Sequence, residues 1–202
     1  MSKSAKSLTG RPRSIEADQA ILQAALELLA EVGYQTMSIE AIASRAGVGK
    51  ATIYRRYTSK EELVADALAS AREKPIIPNT GSFKEDIGFM LEQAAKTFDT
   101  VGRQTLALTI SSASSSPQFA QIYWTKYMQP RRKAFAEIFE RAKARGEIRS
   151  DLDTELTLDL MMGSVLYAVV FRSDTPIEPH IRRVMSYLFA DTDRCDDSAT
   201  EG

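Results

Sequence analysis

The stretch AGVGKATIYRRY, residues 46–57, sets two glycines one residue apart ahead of a lysine and a threonine. A loop that cradles nucleotide phosphates has a similar look. That loop, however, requires a glycine five places before the Gly-Lys pair and a hydroxyl directly after it, because the hydroxyl holds magnesium. Here those places carry Ser44 and Ala51. Such a loop also follows a buried strand, whereas SIEAIASRAG, residues 38–47, spaces Ile39, Ile42, Ala43 and Ala46 as one face of a helix. The glycines therefore join two helices, and a helix-turn-helix is the reading that decides the fold.

Working outward, Ser14 caps a helix over 15–32 whose apolar stripe is Ile21, Leu22, Ala25, Leu28, Leu29 and Val32, with Gly33 placed to end it. Ser38 opens a short helix ending at Gly47, and Gly49 opens a third through Tyr57. Ser59 to Glu62 is a capping box for a fourth helix, with Leu63, Ala67 and Ala71 on one side. EKPIIPNTGS, residues 73–82, breaks the periodicity and reads as a linker. A second capping box, Ser82 to Glu85, precedes a face of Ile87, Met90, Leu91, Ala94 and Phe98. An apolar segment follows at Leu106 to Ile110, and SSASSSP, residues 111–117, is expected to be a loop. A helix with Trp124 and Met128 should kink or break at Pro130, resume through Phe135, Ile138, Phe139 and Ala142, and stop near Gly146. Asp153 or Thr154 then opens LTLDLMMGSVLYAVVF, apolar on nearly every side from Leu160 onward, which predicts burial on every side. DTPIEPH, residues 174–180, reads as a loop, and Ile181, Val184, Met185 and Leu188 stripe a last helix. No alternating strand pattern emerges, so the fold class is all-α: an N-terminal three-helix helix-turn-helix domain plus a larger helical C-terminal domain. The expected divisions are a flexible basic arm (1–13, with Lys3, Lys6, Arg11 and Arg13), the helix-turn-helix domain (14–74), the larger domain (82–190) and a disordered acidic tail (191–202).

Of the 202 residues, 44% are apolar and 26% charged, which suits an ordinary globular chain with room for a core. The one cysteine, Cys195, lies in the polar tail and has no partner for a disulfide, which points to a reducing compartment. The N-terminus has basic residues but no apolar run behind them, unlike a secretory signal. The uncharged apolar run Leu160 to Phe171 is short of the ~20 residues a membrane span needs, so a cytoplasmic protein is expected. Charge is unevenly spread: residues 1–60 hold nine Lys or Arg against five Asp or Glu, whereas the remainder is net acidic. The first third is suited to face an anion.

A recognition helix enters the DNA major groove with its first turn, which should be small or polar there and apolar behind. Gly49, Lys50, Ala51 and Thr52 fit that turn. Ile53 and Tyr57, four apart, are the anchors, leaving Lys50, Ala51, Thr52 and Arg55 for the groove or its walls. Tyr54 can give its hydroxyl to a phosphate, and Lys60 sits at the positive end of the fourth helix. With its AGV turn, GKATIY helix and SKEEL segment, the chain over about residues 14–68 resembles the DNA-binding region of the TetR family of transcriptional repressors. The resemblance implies DNA contacts at Ser38, Arg45, Lys50, Ala51, Thr52, Tyr54, Tyr57 and Lys60. Gly49 stands where the family often carries serine.

RRKAFAEIFERAKARGEIRSDLDTELTLDLMMGSVLYAVVF, residues 131–171, resembles that family's regulatory domain, which is helical and dimerises through its last two helices. The interface residues so implied are Leu160, Gly163, Tyr167, Val170, Ile181, Val184, Met185 and Leu188. Family members usually bind a small molecule there, and Phe89, Phe98, Phe119, Tyr123, Trp124, Tyr127, Met128, Met161 and Met162 are candidates to line the cavity, each in competition with plain core packing. The expected partners are thus a double-stranded DNA operator, an unidentified small molecule and a second copy of the chain, with no membrane. No cofactor is expected, nor is catalysis: His180 is the sole histidine, placed after Pro179 in the loop, and no cluster has metal-ligand spacing. Two other classes stay open at this point, an architectural DNA-coating protein without effector and an enzyme using the Gly-Lys stretch on a nucleotide.

Overall fold

The computed structural model describes residues 11–71, 76–97, 100–172 and 176–189, and every regular element among them is helical. The helices are α1 (Arg11–Thr36), α2 (Ile39–Arg45), α3 (Lys50–Tyr54), α4 (Lys60–Ser70), α5 (Phe83–Thr97), α6 (Thr100–Ser115), α7 (Pro117–Tyr123), α8 (Gln129–Arg145), α9 (Thr154–Phe171) and α10 (Ile177–Leu188), with a π-helical turn at Trp124–Met128 before α8. By contact the described residues divide into two compact units: those of 11–71 with Leu108–Tyr123, and the rest. Residues 108–123, assigned from sequence to the larger domain, thus join the helix-turn-helix unit. The cause is Phe119, which is fully buried and lies 5.7 Å from the Tyr34 ring of α1. Arg11 and Arg13 of the basic arm begin α1, while residues 1–10, the tail with Cys195, and Phe98 lie outside the described residues.

In the first unit α1 packs on α2 and α4, α2 on α3, and α4 on α7. Ile21, Leu29, Ile42, Ile53, Leu63, Val64 and Leu68 are its buried centre. Gly33 breaks α1 at φ 77°, ψ 168°, and one further turn runs to Thr36. The Ser59 hydroxyl accepts from the Glu62 N–H at 3.2 Å as expected of an N-cap. The reciprocal half of the capping box goes elsewhere, since the Glu62 carboxylate accepts from the Thr58 N–H (2.9 Å) and hydroxyl (2.8 Å).

The serine-rich segment 111–117 is not a loop. Ser112 is buried and donates its hydroxyl to the Leu108 carbonyl at 2.8 Å, so α6 continues to Ser115. Ser116 then caps α7 by accepting from the Phe119 N–H at 3.2 Å, and Pro117 takes the first helical position, where its missing donor costs nothing. Ahead of Pro130 the chain widens into the π turn, which accommodates a ring that clashes with the carbonyl four residues back. The segment 174–180 likewise differs from expectation: α10 already begins at Ile177, with Pro179 and His180 inside its first turn.

The second unit is built on Phe83, Ile87, Ile138, Phe139, Ala142, Leu158, Ala168, Val169, Ile181 and Met185. Two polar staples hold α8 to the start of α9. Arg132, buried, binds Glu155 (2.7 Å) and Asp159 (2.7 Å), and the Thr154 hydroxyl bridges Glu140 and Lys143 at 2.8 Å each. The expectation that α9 is buried all round fails within one chain, because Leu160, Tyr167, Val170 and Phe171 are exposed. By length and mean hydropathy (1.4) α9 could cross a membrane, yet it carries the two carboxylates that bind Arg132 and belongs to this folded unit.

Asp86 of α5 is fully buried and ties the segment before α5 in place. Its Oδ1 accepts from the Thr80 N–H (2.8 Å) and hydroxyl (2.9 Å), its Oδ2 faces Arg141 at 3.8 Å, and Arg141 donates to the Pro78 carbonyl at 2.7 Å. Asp86→Ala leaves Arg141 without its buried counter-charge and should lower unfolding free energy by roughly 3 kcal/mol. Asp86→Asn, which keeps an acceptor for Thr80, should cost less; urea denaturation of both checks the order.

Candidate nucleic-acid interface

The turn between α2 and α3 is a Schellman turn. Gly47 adopts φ 65°, its N–H reaches the Ser44 carbonyl (3.3 Å) and the Val48 N–H reaches Ala43 (3.0 Å). Only glycine takes that φ without strain. Gly49 differs: it caps α3 at φ −75°, and a Cβ built there meets nothing within 4 Å. The serine common in the resembling family would fit at that position without rearrangement.

From this turn α3 projects as a helix of five residues, shorter than the 49–57 expected. Ile53 is fully buried and Tyr57 buried, so both anchor as read from their spacing. Burial pushes the Tyr57 hydroxyl up to about 12. The contact implied for Tyr57 by resemblance is not supported by this burial, which makes its ring part of the core. Lys50, Ala51, Tyr54 and Arg55 are exposed, and Thr52 is half-buried. Ser38 serves as the N-cap of α2, its hydroxyl accepting from the Ala41 N–H at 3.2 Å.

Carboxylates missed from sequence accompany the cations of this surface. Arg45 makes a bidentate pair with Glu31 (2.6 and 2.8 Å), and Lys50 pairs with Glu40 at 2.9 Å. Hydrogen bonding in the pairs holds Glu31 and Glu40 below the usual carboxylate range and raises Arg45 and Lys50. Both pairs are exposed and screened, so they are weak and open to exchange for phosphate. The residues lie 14 and 10 apart, beyond any helical period, and nothing in the sequence announces them.

Lys60 is engaged otherwise than expected. Its ammonium donates to the Tyr34 (2.9 Å) and Met37 (3.2 Å) carbonyls and lies 4.5 Å from the centre of the Tyr34 ring. It closes the end of α1, and Tyr34 in turn donates to Glu61 at 2.8 Å. Burial raises the Tyr34 hydroxyl to about 12.

The cavity candidates differ in burial. Phe119 and Tyr123 stack at 5.5 Å in the core of the first unit, Phe89 and Trp124 are exposed, and Tyr127, Met128, Met161 and Met162 are half-buried in the second unit. Among the interface candidates Leu160, Gly163, Tyr167 and Val170 are exposed, Val184 and Leu188 half-buried, and Ile181 and Met185 buried in their own core. His180 contacts the Ser164 carbonyl of α9 at 3.2 Å, and among the described residues no cluster of acidic, His or Cys side chains is placed to hold a metal ion.

Residues 21–67 match the family model described as bacterial regulatory proteins, tetR family, and residues 77–188 match that of the tetracyclin repressor-like C-terminal domain. The HTH-type transcriptional regulator YdeS of Bacillus subtilis is 31% identical over 185 residues, covering 91% of this chain and 93% of its own. Among solved structures, the TetR family transcription regulator SCO0332 is 26% identical with a TM-score of 0.64, over 87% of this chain and 97% of that one. The Flavonoid-responsive Regulator FrrA, 22% identical, shares the fold with a TM-score of 0.65 over 86% and 95%.

The bonds of Lys60 point to a stabilising residue. Lys60→Ala should lower unfolding free energy by roughly 1–2 kcal/mol through the lost carbonyl and ring contacts. The salt dependence of DNA binding should stay as it is. Unchanged stability with a salt slope smaller by about one unit would instead return Lys60 to the phosphate backbone.

Proposed function

Since the chain belongs to the tetR family of bacterial regulatory proteins and is a helix-turn-helix transcriptional regulator, we propose that it is a repressor, working in the cytoplasm as a homodimer on a palindromic operator. A small molecule taken up by the second unit releases it. The observation that carries the reading is the short helix α3, which is rooted by the buried Ile53 and leaves Lys50, Ala51 and Tyr54, with Arg55 at its C-cap, exposed together. That is the arrangement with which a recognition helix meets base edges and flanking phosphates. In this reading Lys50 and Arg45 exchange Glu40 and Glu31 for phosphates, Tyr54 and Ser38 add polar contacts, and Ala51 and Thr52 face bases. Lys60 and Tyr57 hold the scaffold.

One such helix provides little beyond non-specific affinity, and two rigidly joined copies bind as one unit. The apolar surface that supports the pairing is on α9, where Tyr167 is 58% and Phe171 73% exposed in a single chain. A soluble monomer has little reason to keep large apolar side chains in one row at its surface. Gly163 lies on the same helix, exposed, and a Cβ there meets nothing within 4 Å. Its own subunit does not require the glycine, which is consistent with close approach by a partner helix. For the effector, Tyr127, Met128, Met161 and Met162 are the candidates that their half-buried positions leave in the second unit.

Selection of duplexes from a random pool should enrich a two-fold symmetric sequence whose half-sites lie about 34–36 Å apart or a multiple of it. Tyr167→Glu and Val184→Glu should each give folded monomers, by sedimentation and circular dichroism, that no longer bind the enriched duplex. Normal dimers in both variants would place the interface elsewhere, and a pool without enrichment would count against an operator.

A further inference from the structure

The two adjacent arginines behind the recognition helix are held differently. Arg55 is exposed and reaches only the Thr52 hydroxyl, at 3.2 Å. Arg56 turns inward. Its Nε donates to the carboxylate of Asp18 on α1, and its Nη1 donates to the Thr52 carbonyl at 3.0 Å. The backbone explains the second bond. The Arg56 N–H is used on the Ile53 carbonyl at 2.9 Å, so the guanidinium takes up the carbonyl of Thr52 that a longer helix would have satisfied from its next turn.

We infer that Arg56 is a positioning residue for DNA recognition: with Asp18 it ties the Thr52 peptide of the recognition helix to α1 and so sets the angle at which Lys50, Ala51 and Thr52 meet the bases. The inference rests on the operator-binding reading above. Three observations converge on it. The Asp18 end is rooted, because α1 buries Ile21 and Ala25 in the next turns of the same helix. The Thr52 end is the residue expected at the groove, so the strut acts on the peptide that matters for base contact. The connector is a planar fork whose Nε and Nη1 serve the carboxylate and the carbonyl from two separate atoms at a fixed spacing, which the single nitrogen of a lysine does not reproduce. Two of the five N–H donors of the guanidinium are committed in this way, and a connector has a different signature from a phosphate contact. Loss of a phosphate contact weakens binding to every sequence and lowers the salt slope, whereas loss of helix position removes base discrimination and leaves the slope alone.

The test uses the full chain, the duplex that the unaltered protein enriches from a random pool, and a scrambled duplex of the same length. Asp18→Asn and Arg56→Lys should each weaken binding to the enriched duplex by about tenfold, as for loss of one charge-assisted bond. Binding to the scrambled duplex should stay within about twofold, with the salt slope unchanged. Asp18→Asn removes a negative charge, so electrostatics alone would strengthen both duplexes, and a selective loss cannot come from that source. The double variant should be no weaker than either single one, because both remove the same link. Circular dichroism establishes that each variant is folded, and Arg56→Lys decides alone if Asp18→Asn does not fold. Asp18→Asn binding both duplexes as the unaltered protein does would overturn the inference. So would Arg56→Lys weakening both duplexes equally with a slope smaller by about one unit, the signature of a phosphate contact. If the unaltered protein enriched no duplex at all, the operator reading would fail first and this inference with it.

Discussion

The recognition helix Lys50–Tyr54 is only five residues long, and a helix of that length closes too few hydrogen bonds to offset the entropy of ordering its own backbone. Its place is therefore set from outside, at three points. The Schellman turn at Gly47 and Val48 fixes where α3 starts, the buried Ile53 fixes which side faces inward, and the bonds of Arg56 fix the carbonyl end. The rest of the first unit is arranged to make those points firm. α1 supplies Asp18 and the buried Ile21, Ala25 and Leu29, and α4 supplies Leu63, Val64 and Leu68. Lys60 and Glu61, at the start of α4, close on Tyr34 at the end of α1. A short reading helix thus depends on a comparatively rigid frame, which is what base recognition within a fraction of an ångström demands.

The same frame determines which positive charges are available. The excess of Lys and Arg in residues 1–60 looks in sequence like one basic face. In the structure it separates into kinds: Lys60 and Arg56 are committed to backbone carbonyls and, for Arg56, the Asp18 carboxylate of α1, whereas Lys50 and Arg45 hold exposed, screened pairs. In the operator reading proposed above, committed cations contribute shape and exchangeable ones contribute affinity. In that reading the carboxylates beside the exchangeable pair also penalise weak encounters, because a phosphate must displace Glu40 or Glu31 before it gains the cation.

The organisation of the first unit was legible in the sequence because its signals are local. Gly47 needs a positive φ, Ser38 and Ser59 cap the helices they precede, and Ile53 lies at a spacing that only a helix buries. What sequence reasoning missed depends on partners far apart along the chain. Arg56 and Asp18 are 38 residues apart, and no periodicity selects Arg56 over Arg55 as the inward one. Composition suggests a loop for the serines of 111–117, whereas a hydroxyl that bonds the carbonyl four residues back lets serine sit inside a helix. Pro130 signals a disturbance in the sequence, but the π turn that absorbs it is visible only in the backbone. The cavity candidates show the weakest inference. Aromatic and methionine residues share helical spacing whether they line a cavity or fill a core, and Phe119 proved to be core.

The apolar helix α9 joins both lessons. Its sequence is apolar on nearly every side, yet its first turns are held to α8 by ion pairs, through Glu155 and Asp159 on Arg132. Polar staples of this kind set an orientation more than they add stability, because each buried contact to Arg132 repays a desolvation cost. With its N-terminal half oriented in that way and Ala168 and Val169 turned into the core with α10, the residues between them in helical phase must face outward, and these are Tyr167, Val170 and Phe171. Tyr167 and Phe171 contact one another at 5.4 Å, which covers part of each ring but leaves the row as a whole in water. The exposed row follows directly from how α9 is pinned.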